Sequence, residues 1–279
     1  MELRFTKMHG LGNDFVIADA PPGSPPPSAD TLRRLANRRT GIGFDQLLLL
    51  EPPRRPDSEV YYRIFNPDGE EVEQCGNGVR CIARLLSERG GTEHAKGETM
   101  ALDSAGGIVQ ARIGRDGQIS VNMGIPRFAP RDIPFEATTE AYIYTIDVAG
   151  TELEIGAVSI GNPHAVLTVP SVDTAPVDRI GPALERHSRF PRRTNVGFMQ
   201  IIDAEHIRLR VHERGTGETR ACGTGACAAV AVGRRHGVLG EEVAVDLPGG
   251  RLAIHWEGPG EPIWMTGPAE KSFEGTVDI

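Results

Sequence analysis

Residues 72–81 read VEQCGNGVRC, and residues 219–228 read TRACGTGACA. Each stretch places one cysteine immediately before a Gly-X-Gly and a second cysteine a few residues later. The chain has 279 residues and only 4 cysteines, so all of its cysteines lie in these two stretches. A pattern this rare, written twice, predicts that the chain consists of two related halves.

Other stretches repeat in the same order. Aligning Cys75 with Cys222 pairs Glu71 with Glu218 at an offset of 147 residues. Two upstream matches, at offsets of 149 and 154 residues, pair GNDFV with GNPHAV and GIGFDQL with GFMQI; these are residues 12–16 with 161–166, and 41–47 with 197–201. The three matches are colinear, which favours a duplicated domain over chance.

The local patterns indicate short strands around two helices. Helices are predicted from about Gly76 to Arg89, stopping at Gly90–Gly91, and from about Gly223 to His236, stopping at Gly237, because glycine commonly follows the last helical residue. Both helices are apolar on more than one face, as expected for a helix enclosed by a sheet. Runs of β-branched and aromatic residues between turn formers predict strands at 15–19, 47–50, 60–65, 108–113, 165–169, 199–202, 207–212, 243–247 and 252–256. Residues 122–131, NMGIPRFAPR, interrupt this pattern and are interpreted as the crossover between domains.

Composition excludes several classes of function. The formal net charge of −8 argues against a nucleic-acid partner, which normally produces a basic surplus. No apolar run approaches the roughly 20 residues that span a bilayer, so no membrane association is expected. The N-terminus lacks the pattern of a secretory signal, so a cytoplasmic protein with reduced thiols is expected. The few lysines lie in no recognisable cofactor motif, which argues against a pyridoxal phosphate Schiff base.

A cysteine before Gly-X-Gly is placed to bind an anion and to transfer a proton. The glycines let the backbone turn sharply into the helix, and the free N–H groups of the helix N-terminus form an anion site that accepts a carboxylate. The same field favours thiolate over thiol and is expected to lower the pKa of the cysteine. If Cys75 and Cys222 lay on the two sides of one α-carbon, one sulfur would remove the proton and the other would return a proton to the opposite face. The stereocentre would invert without a cofactor.

The cysteines also have structural interpretations. Cys81 and Cys227 lie inside the predicted helices, where a free cysteine usually packs as a small hydrophobe. A structural zinc site through Cys75 and Cys222 is disfavoured because C-x5-C and C-x4-C lack the C-x2-C spacing, and no metal is expected. A disulfide between these two residues is disfavoured in a cytoplasmic chain.

Several polar residues near the two turns have open roles on the sequence alone. Arg214 has the geometry to bind a carboxylate and Glu213 to accept from an ammonium group, but the two residues can equally pair with each other or with solvent. Asn13, Asn162 and Asn195 stand at strand–turn boundaries, where a turn role competes with a binding role. His164 and Gln46 are by default structural, and the match of Gln46 to Gln200 indicates a fold constraint.

The sequence resembles the diaminopimelate epimerase family almost from end to end. The stretches that carry the resemblance are KMHGLGNDF (7–15), GIGFDQLL (41–48), FNPDGEEVEQCGNGVRC (65–81), GNPHAV (161–166), RTNVGFM (193–199), ERGTGETRACGTGACAA (213–229) and WMTGPA (264–269). Two residues, Pro67 and Gly197, depart from the family's usual pattern outside the proposed chemistry.

The resemblance implies an α+β fold of two pseudo-symmetric domains, each a mostly antiparallel, barrel-like curled sheet around a central helix, with the active site in the cleft between them. The first domain would comprise residues 1–121 plus 264–279 and carry Cys75, and the second would comprise 122–263 and carry Cys222. The implied reaction interconverts LL- and meso-diaminopimelate in lysine and peptidoglycan precursor synthesis, with no cofactor and as a homodimer.

The resemblance also implies a role for each site residue. Cys75 and Cys222 are the acid/base pair, and His164 and Glu213 modulate the thiols. The substrate would be bound by Asn13, Gln46, Asn66, Gly76, Asn77, Asn162, Asn195, Glu213, Arg214, Gly223 and Thr224.

Two alternatives have distinguishing features. A racemase of a smaller amino acid such as proline would not need the charged pair Glu213–Arg214, because its substrate has no second charged end. A non-catalytic binding protein for an anionic amino acid would not need two acid/base-capable sulfurs.

Overall fold

The structure is a computed structural model that describes residues 2–20, 25–72, 75–90, 97–148 and 150–279. The chain divides into two compact units, here called unit 1 (residues 1–121 and 267–279) and unit 2 (residues 122–266). Each unit combines β-strands with two α-helices, so the predicted α+β class is confirmed.

Unit 1 contains two helices and a set of strands from both ends of the chain. Its helices are α1 (Ala29–Ala36) and α2 (Gly76–Gly90). Its strands are β1 (Glu2–Gly10), β2 (Asn13–Asp19), β3 (Gln46–Glu51), β4 (Val60–Phe65), β5 (Glu71–Val72), β6 (Thr99–Ser104), β7 (Gly107–Ile113), β8 (Ile119–Asn122) and β18 (Glu270–Asp278).

Unit 2 has the same inventory in one continuous segment. Its helices are α3 (Val177–Glu185) and α4 (Gly223–Arg235). Its strands are β9 (Tyr144–Val148), β10 (Thr151–Ser159), β11 (Pro163–Thr168), β12 (Asn195–Asp203), β13 (His206–Glu213), β14 (Gly217–Thr219), β15 (Glu242–Leu247), β16 (Gly250–His255) and β17 (Trp264–Gly267).

The strands pair in the same order in both units. Unit 1 runs β18–β1–β2–β3–β4–β6–β7–β8, with the short β5 also on β4. Unit 2 runs β9–β10–β11–β12–β13–β15–β16–β17, with β14 also on β13. Two pairs in each unit are parallel, namely β2–β3 and β4–β6 in unit 1 and β11–β12 and β13–β15 in unit 2, and the other pairs are antiparallel. The two units are therefore topological duplicates.

One helix of each unit is enclosed by its own sheet. Helix α2 contacts β1, β2 and β7, and α4 contacts β10 to β13 and β16, so in each unit the sheet curls until distant strands reach the same helix. All residues of α4 from Gly225 to Gly233 are buried, which agrees with its apolar character on every face. At Gly78 of α2 a side chain would lie only 3.2 Å from Cδ1 of Leu48, so glycine lets the helix approach β3 closely.

The other helix of each unit covers the outer face of the sheet. In unit 1, Leu32 and Leu35 of α1 pack with Val16 and Leu47 of the two parallel strands. In unit 2, the buried residues Ile180 and Leu184 of α3 join a cluster with strands β9 to β12. Because side chains alternate along a strand, one face packs against the outer helix and the other against the central helix.

The long periodic segments agree with the predicted elements, and the missed ones have weak signals. The second helix ends at Arg235, and Gly237 follows it with φ of 75°. The first ends at Gly90, and Gly91 lies outside the described residues. The sequence did not predict α1, which has 8 residues, or α3, which contains Pro182.

The middle repeat was aligned in the wrong register. Strand pairing sets Gln46 opposite Phe15 in unit 1 and Asn195 opposite His164 in unit 2, so Gln46 corresponds to Asn195 and not to Gln200. The correct offset is 149 residues, where the sequence match had given 154. The sequence match depends on shared glycine, phenylalanine and glutamine residues. The parallel strand pairing, which fixes the true correspondence, is not visible in the sequence.

Candidate active site

The predicted site residues lie at equivalent positions in the two units. In unit 1, Asn13 and Gln46 begin the parallel strands β2 and β3, and Asn66 follows the antiparallel β4. In unit 2, Asn162 and His164 lie at the start of β11, Asn195 begins β12, and Glu213 ends β13. Each unit also has one cysteine directly before its central helix, Cys75 before α2 and Cys222 before α4.

In unit 1 the turn before α2 is held by amide groups. The carbonyl of Cys75 accepts a hydrogen bond from the N–H of Val79 at 3.0 Å, which places this residue directly at the start of the helix. Oδ1 of Asn13 accepts from Nδ2 of Asn77 at 3.1 Å and lies 3.9 Å from Sγ of Cys75, within the reach of a thiol donor. Gly76 and Asn77 are buried, and Cys75 is partly exposed.

The other predicted pair of unit 1 is also in contact. Nε2 of Gln46 donates to Oδ1 of Asn66 at 3.0 Å. The backbone around Asn66 forms a tight turn, because its N–H bonds to the carbonyl of Glu70 and its own carbonyl accepts from Gly69. The two side chains are thereby fixed at the ends of β3 and β4.

In unit 2 the turn before α4 buries its cysteine. Cys222 is the N-cap residue of the helix and is 3 % exposed, and its carbonyl accepts from the N–H of Ala226 at 3.0 Å. Sγ lies 3.6 Å from Oγ1 of Thr224. Gly223 is buried and Thr224 is partly exposed.

The expected lowering of the cysteine pKa is not found at Cys222. Burial raises its pKa well above 9.0, and the carboxylate of Glu213 raises it further. Hydrogen bonds from Thr224 and from the N–H of Gly225 act in the opposite direction but do not compensate. Cys222 is therefore a thiol at neutral pH.

Glu213 and Arg214 do not pair with each other. Glu213 accepts a short hydrogen bond from the hydroxyl of Thr219. The guanidinium of Arg214, which is exposed, donates to the carbonyl of Arg192 at 3.1 Å, and no described carboxylate lies within salt-bridge distance of it. The charged group of Arg214 is consequently available to a ligand.

His164 is buried and uncharged. Burial lowers its pKa to about 3, and the positive charge of Arg214 contributes to the lowering. Its Nε2 bonds to Oδ1 of Asn162 at 2.9 Å, and Nδ2 of Asn162 donates to Oγ1 of Thr224 at 3.4 Å. Since an uncharged imidazole with Nε2 facing a carbonyl oxygen must carry its proton there, His164 is the donor in this bond.

The loop that carries Arg214 is fixed by Asn195 and by a buried hydrogen-bonded pair. Oδ1 of Asn195 accepts from the N–H of Arg214 at 3.0 Å, and its Nδ2 donates to the carbonyl of Pro163 at 3.0 Å. Glu185 of α3 lies 3.0 Å from Nε2 of His212 and accepts from the N–H of Gly215 at 3.0 Å.

The other two cysteines are fully buried in the central helices. Cys81 and Cys227 have no exposed surface, and burial raises the pKa of Cys81 to about 12. A side chain in such a position does not meet a solute. Their predicted packing role therefore agrees with their environment.

Comparison with known proteins identifies the family. The family model described as diaminopimelate epimerase matches residues 5–129 and 156–272, which is most of the chain. The chain belongs to the diaminopimelate epimerase family. The full length is 56 % identical to the diaminopimelate epimerase of Alkalilimnicola ehrlichii over 279 residues, covering 100 % of both chains. The corresponding protein of Thioalkalivibrio sulfidiphilus is 56 % identical over 281 residues, again with complete coverage.

A solved structure outside this family has the same fold. The hydroxyproline epimerase of Agrobacterium vitis superimposes with a TM-score of 0.71 at 17 % identity, covering 99 % of this chain and 92 % of the other. Identity this low shows a common fold alone. The two-unit, curled-sheet architecture thus extends beyond the diaminopimelate epimerase family.

Two structural features are absent from the described residues. None of the helices in the described ranges is both long and apolar enough to cross a membrane. Likewise, these ranges contain no cluster of three or more His, Cys, Asp or Glu side chains arranged to hold a metal ion.

The sequence analysis did not identify the residues that hold the site residues in position through hydrogen bonds. Asp45, which precedes β3, accepts from Nδ2 of Asn13 at 2.9 Å, and Glu185 and His212 brace the loop of Arg214. Asp45 lies within the stretch GIGFDQLL that carries the family resemblance, so its place in a shared motif was the available signal. Glu185 stands at the end of a helix that the sequence did not predict, and nothing in the pattern indicated it.

Proposed function

We propose that this protein is an epimerase that interconverts LL- and meso-diaminopimelate by removing a proton from one face of the α-carbon and returning a proton to the other. The observation that carries the proposal is the duplicated topology in which each unit places one cysteine at the N-terminus of its central helix. Membership of the diaminopimelate epimerase family supplies the substrate. No cofactor takes part in the proposed reaction.

The backbone N–H groups at the two helix starts would bind the α-carboxylate. The first N–H groups of an α-helix have no partner within the helix. They create a positive potential at the helix N-terminus, which stabilises a bound anion. Gly76 and Asn77 would contribute from α2, and Gly223 and Thr224 from α4. Hydrogen bonds to the carboxylate grow stronger as negative charge develops on deprotonation, and they stabilise the transition state for that reason.

The two sulfurs would exchange acid and base roles with the direction of the reaction. Burial and Glu213 keep Cys222 protonated, so we assign it as the proton donor when Cys75 acts as the base. The reverse direction requires Cys222 to lose its proton, and Thr224 and the N–H of Gly225 would stabilise the resulting thiolate.

The remaining residues would recognise the second amino-carboxylate end. Arg214 has a guanidinium free of described carboxylates and suits a bidentate contact with a carboxylate. Asn195, through its bond to the N–H of Arg214, would fix this loop. Asn13, Gln46, Asn66 and Asn162 would complete the polar surroundings, with His164 and Glu213 modulating the thiols. The proposal includes a cytoplasmic location and a homodimeric assembly, which the family resemblance supports. Each chain would consist of one domain of residues 1–121 plus 264–279 and a second domain of residues 122–263.

The test is conversion of pure LL-diaminopimelate to the meso isomer without added pyridoxal phosphate and under reducing conditions. Cys75→Ala and Cys222→Ala should each reduce kcat by at least about 100-fold, because one positioned acid or base contributes about 100- to 10,000-fold. Cys81→Ala and Cys227→Ala are matched controls, since these cysteines lie in the same two helices without meeting solvent, and they should retain activity. Absence of conversion by the wild-type protein would refute the proposal.

A further inference from the structure

The two asparagines that precede the parallel strands have amide groups of opposite orientation. Asn13 begins β2 and Asn162 immediately precedes β11, so they occupy equivalent positions in the duplicated topology. Asn13 turns its oxygen toward the cysteine turn of unit 1, whereas Asn162 turns its nitrogen toward the cysteine turn of unit 2. An amide can take either orientation, so a neighbour must select one in each unit.

In unit 1 the selecting neighbour is Asp45. Its Oδ2 accepts from Nδ2 of Asn13 at 2.9 Å, and an ionised carboxylate can only accept. The amide oxygen of Asn13 is thereby directed to the other side, where Nδ2 of Asn77 lies at 3.1 Å and Sγ of Cys75 at 3.9 Å. The opposite rotamer would place an N–H group against the N–H group of Asn77 and the amide oxygen against the carboxylate of Asp45.

Asp45 is itself fixed from several sides. Its Oδ2 also accepts from the N–H of Asp14 at 3.1 Å, and its own N–H donates to Oδ1 of Asp14 at 3.0 Å. Arg38 bridges the two carboxylates, at 2.7 Å from Oδ1 of each. Lys7, which is buried, pairs with Asp14 at 2.6 Å, so the group carries two positive and two negative charges. Burial alone would raise the pKa of Asp14, but Arg38 and Lys7 lower it to about 2 and keep this carboxylate ionised.

In unit 2 the selecting neighbour is a donor. Nε2 of the uncharged His164 donates to Oδ1 of Asn162, which leaves Nδ2 of Asn162 to bond to the hydroxyl of Thr224. That hydroxyl accepts from Asn162 and can donate its own proton to Sγ of Cys222, 3.6 Å away. The sulfur of unit 2 consequently meets a hydrogen-bond donor, and that of unit 1 meets an acceptor.

We propose that Asp45 is a positioning residue of the reaction, which holds the amide oxygen of Asn13 toward Cys75 and so keeps this sulfur beside a hydrogen-bond acceptor. An acceptor stabilises S–H over S⁻, so Asp45 makes Cys75 retain its proton to a higher pH than it otherwise would. This inference rests on the proposed function only for its catalytic meaning, because the effect on the sulfur is present without substrate.

Other groups that influence Cys75 are distinct from Asp45. Tyr62 of β4 and Cys81 of α2 interact electrostatically with it, and both are buried groups whose pKa is raised to about 12, mainly by burial. Both remain uncharged around neutral pH. A shift that Asp45→Leu causes and that the equally uncharged Asp45→Asn does not cause therefore reaches Cys75 through Asn13.

The test measures how fast iodoacetamide alkylates Cys75 across a range of pH, in a Cys222→Ser background. Asp45→Leu removes the acceptor, keeps the branched shape and the number of side-chain heavy atoms, and frees Asn13 to turn its N–H group toward the sulfur. The midpoint of the pH–rate profile should move to lower pH by about one unit, because a donor favours the thiolate. Asp45→Asn should restore the original midpoint, because its oxygen can still accept from both Asn13 and the N–H of Asp14.

Glu51→Leu is the control, since Glu51 is also partnered by an arginine, Arg54, but stands at the opposite end of β3. It should leave the midpoint unchanged. A purely structural loss in Asp45→Leu would change alkylation rates at every pH without moving the midpoint, and that result would overturn the proposal. Asp45→Ala replaces the leucine variant if the latter does not fold. Alkylation needs no turnover, so a shifted midpoint together with a wild-type protein that fails to convert diaminopimelate would refute the proposed function and leave this inference standing.

Discussion

At the scale of single residues, Cys222 lies under opposing influences. A helix N-terminus and two hydrogen-bond donors favour its thiolate, while burial and a neighbouring carboxylate favour its thiol. Burial has the largest effect and the pKa is raised. The residue is thus suited to hold a proton until a substrate carbanion develops beside it.

Glu213→Gln tests the part of this balance that comes from charge. The substitution removes the negative charge but keeps an oxygen that can accept from Thr219. Since the carboxylate raises the pKa of Cys222, its removal should lower that pKa, and alkylation of Cys222 in a Cys75→Ser background should reach half-maximal rate at lower pH, by about one unit. Glu218→Gln is the control, because the carboxylate of Glu218 is bound to Arg210. An unchanged profile in the Glu213 variant would contradict the role given to Glu213.

At the scale of elements, the central helix of each unit must approach its sheet closely for the helix start to reach the strand ends. Gly156 of β10 shows this requirement in unit 2. A side-chain carbon built at Gly156 would overlap Cγ1 of Val232 on α4 and lie 2.9 Å from its Cγ2. The strand and the helix are therefore in contact without room for one methyl group.

Gly156→Ala should accordingly lower the free energy of unfolding by about 1–3 kcal/mol, the usual effect of overpacking a core. Val232→Ala should create space for the new methyl group, so the double variant should be more stable than the sum of the two single losses predicts. Gly240→Ala is the control, because its new carbon would meet only the carbonyl of Ala204 at an ordinary 3.5 Å. Urea denaturation measures all four variants, and strict additivity in the double variant would contradict the assigned contact.

Elements with a strong pattern were predictable, and those fixed by tertiary contacts were not. The two central helices followed from glycine positions and continuous apolar character. Strand β1 begins with the alternation of charged and apolar residues that is typical of a strand, so its signal was present and overlooked. Strand β18 carries mostly exposed residues and pairs with β1 from the far end of the chain. The correspondence of Gln46 with Asn195 required strand pairing, because the local letters favoured a different register.

The candidate site shows the same division. Cys75 and Cys222 can be proposed from the sequence because a rare motif occurs twice. The roles of most other site residues are implied only by the family resemblance. The support from Asp45 and Glu185 depends on hydrogen bonds between residues 30 or more positions apart, which no local pattern contains.

At the scale of the whole molecule, the duplicated topology explains why the motif is written twice. Eight strands pair in one order in each unit, and each unit supplies one helix start with one cysteine. A reaction with two bases requires two such positions, whereas nucleophilic catalysis by a single cysteine would require one. In the proposed mechanism the two sulfurs act on opposite faces of one carbon.

The isotope content of the first product tests this claim most directly. LL-diaminopimelate with protium at the α-carbon is incubated with the wild-type protein in deuterated water, and both isomers are analysed within the first few per cent of conversion. Two bases predict that the newly formed meso isomer carries deuterium at the inverted centre, delivered from the second, exchanged thiol, while the remaining LL isomer is still largely protiated. A single base would carry the original proton across, so a meso product that retains its α-protium would contradict the account.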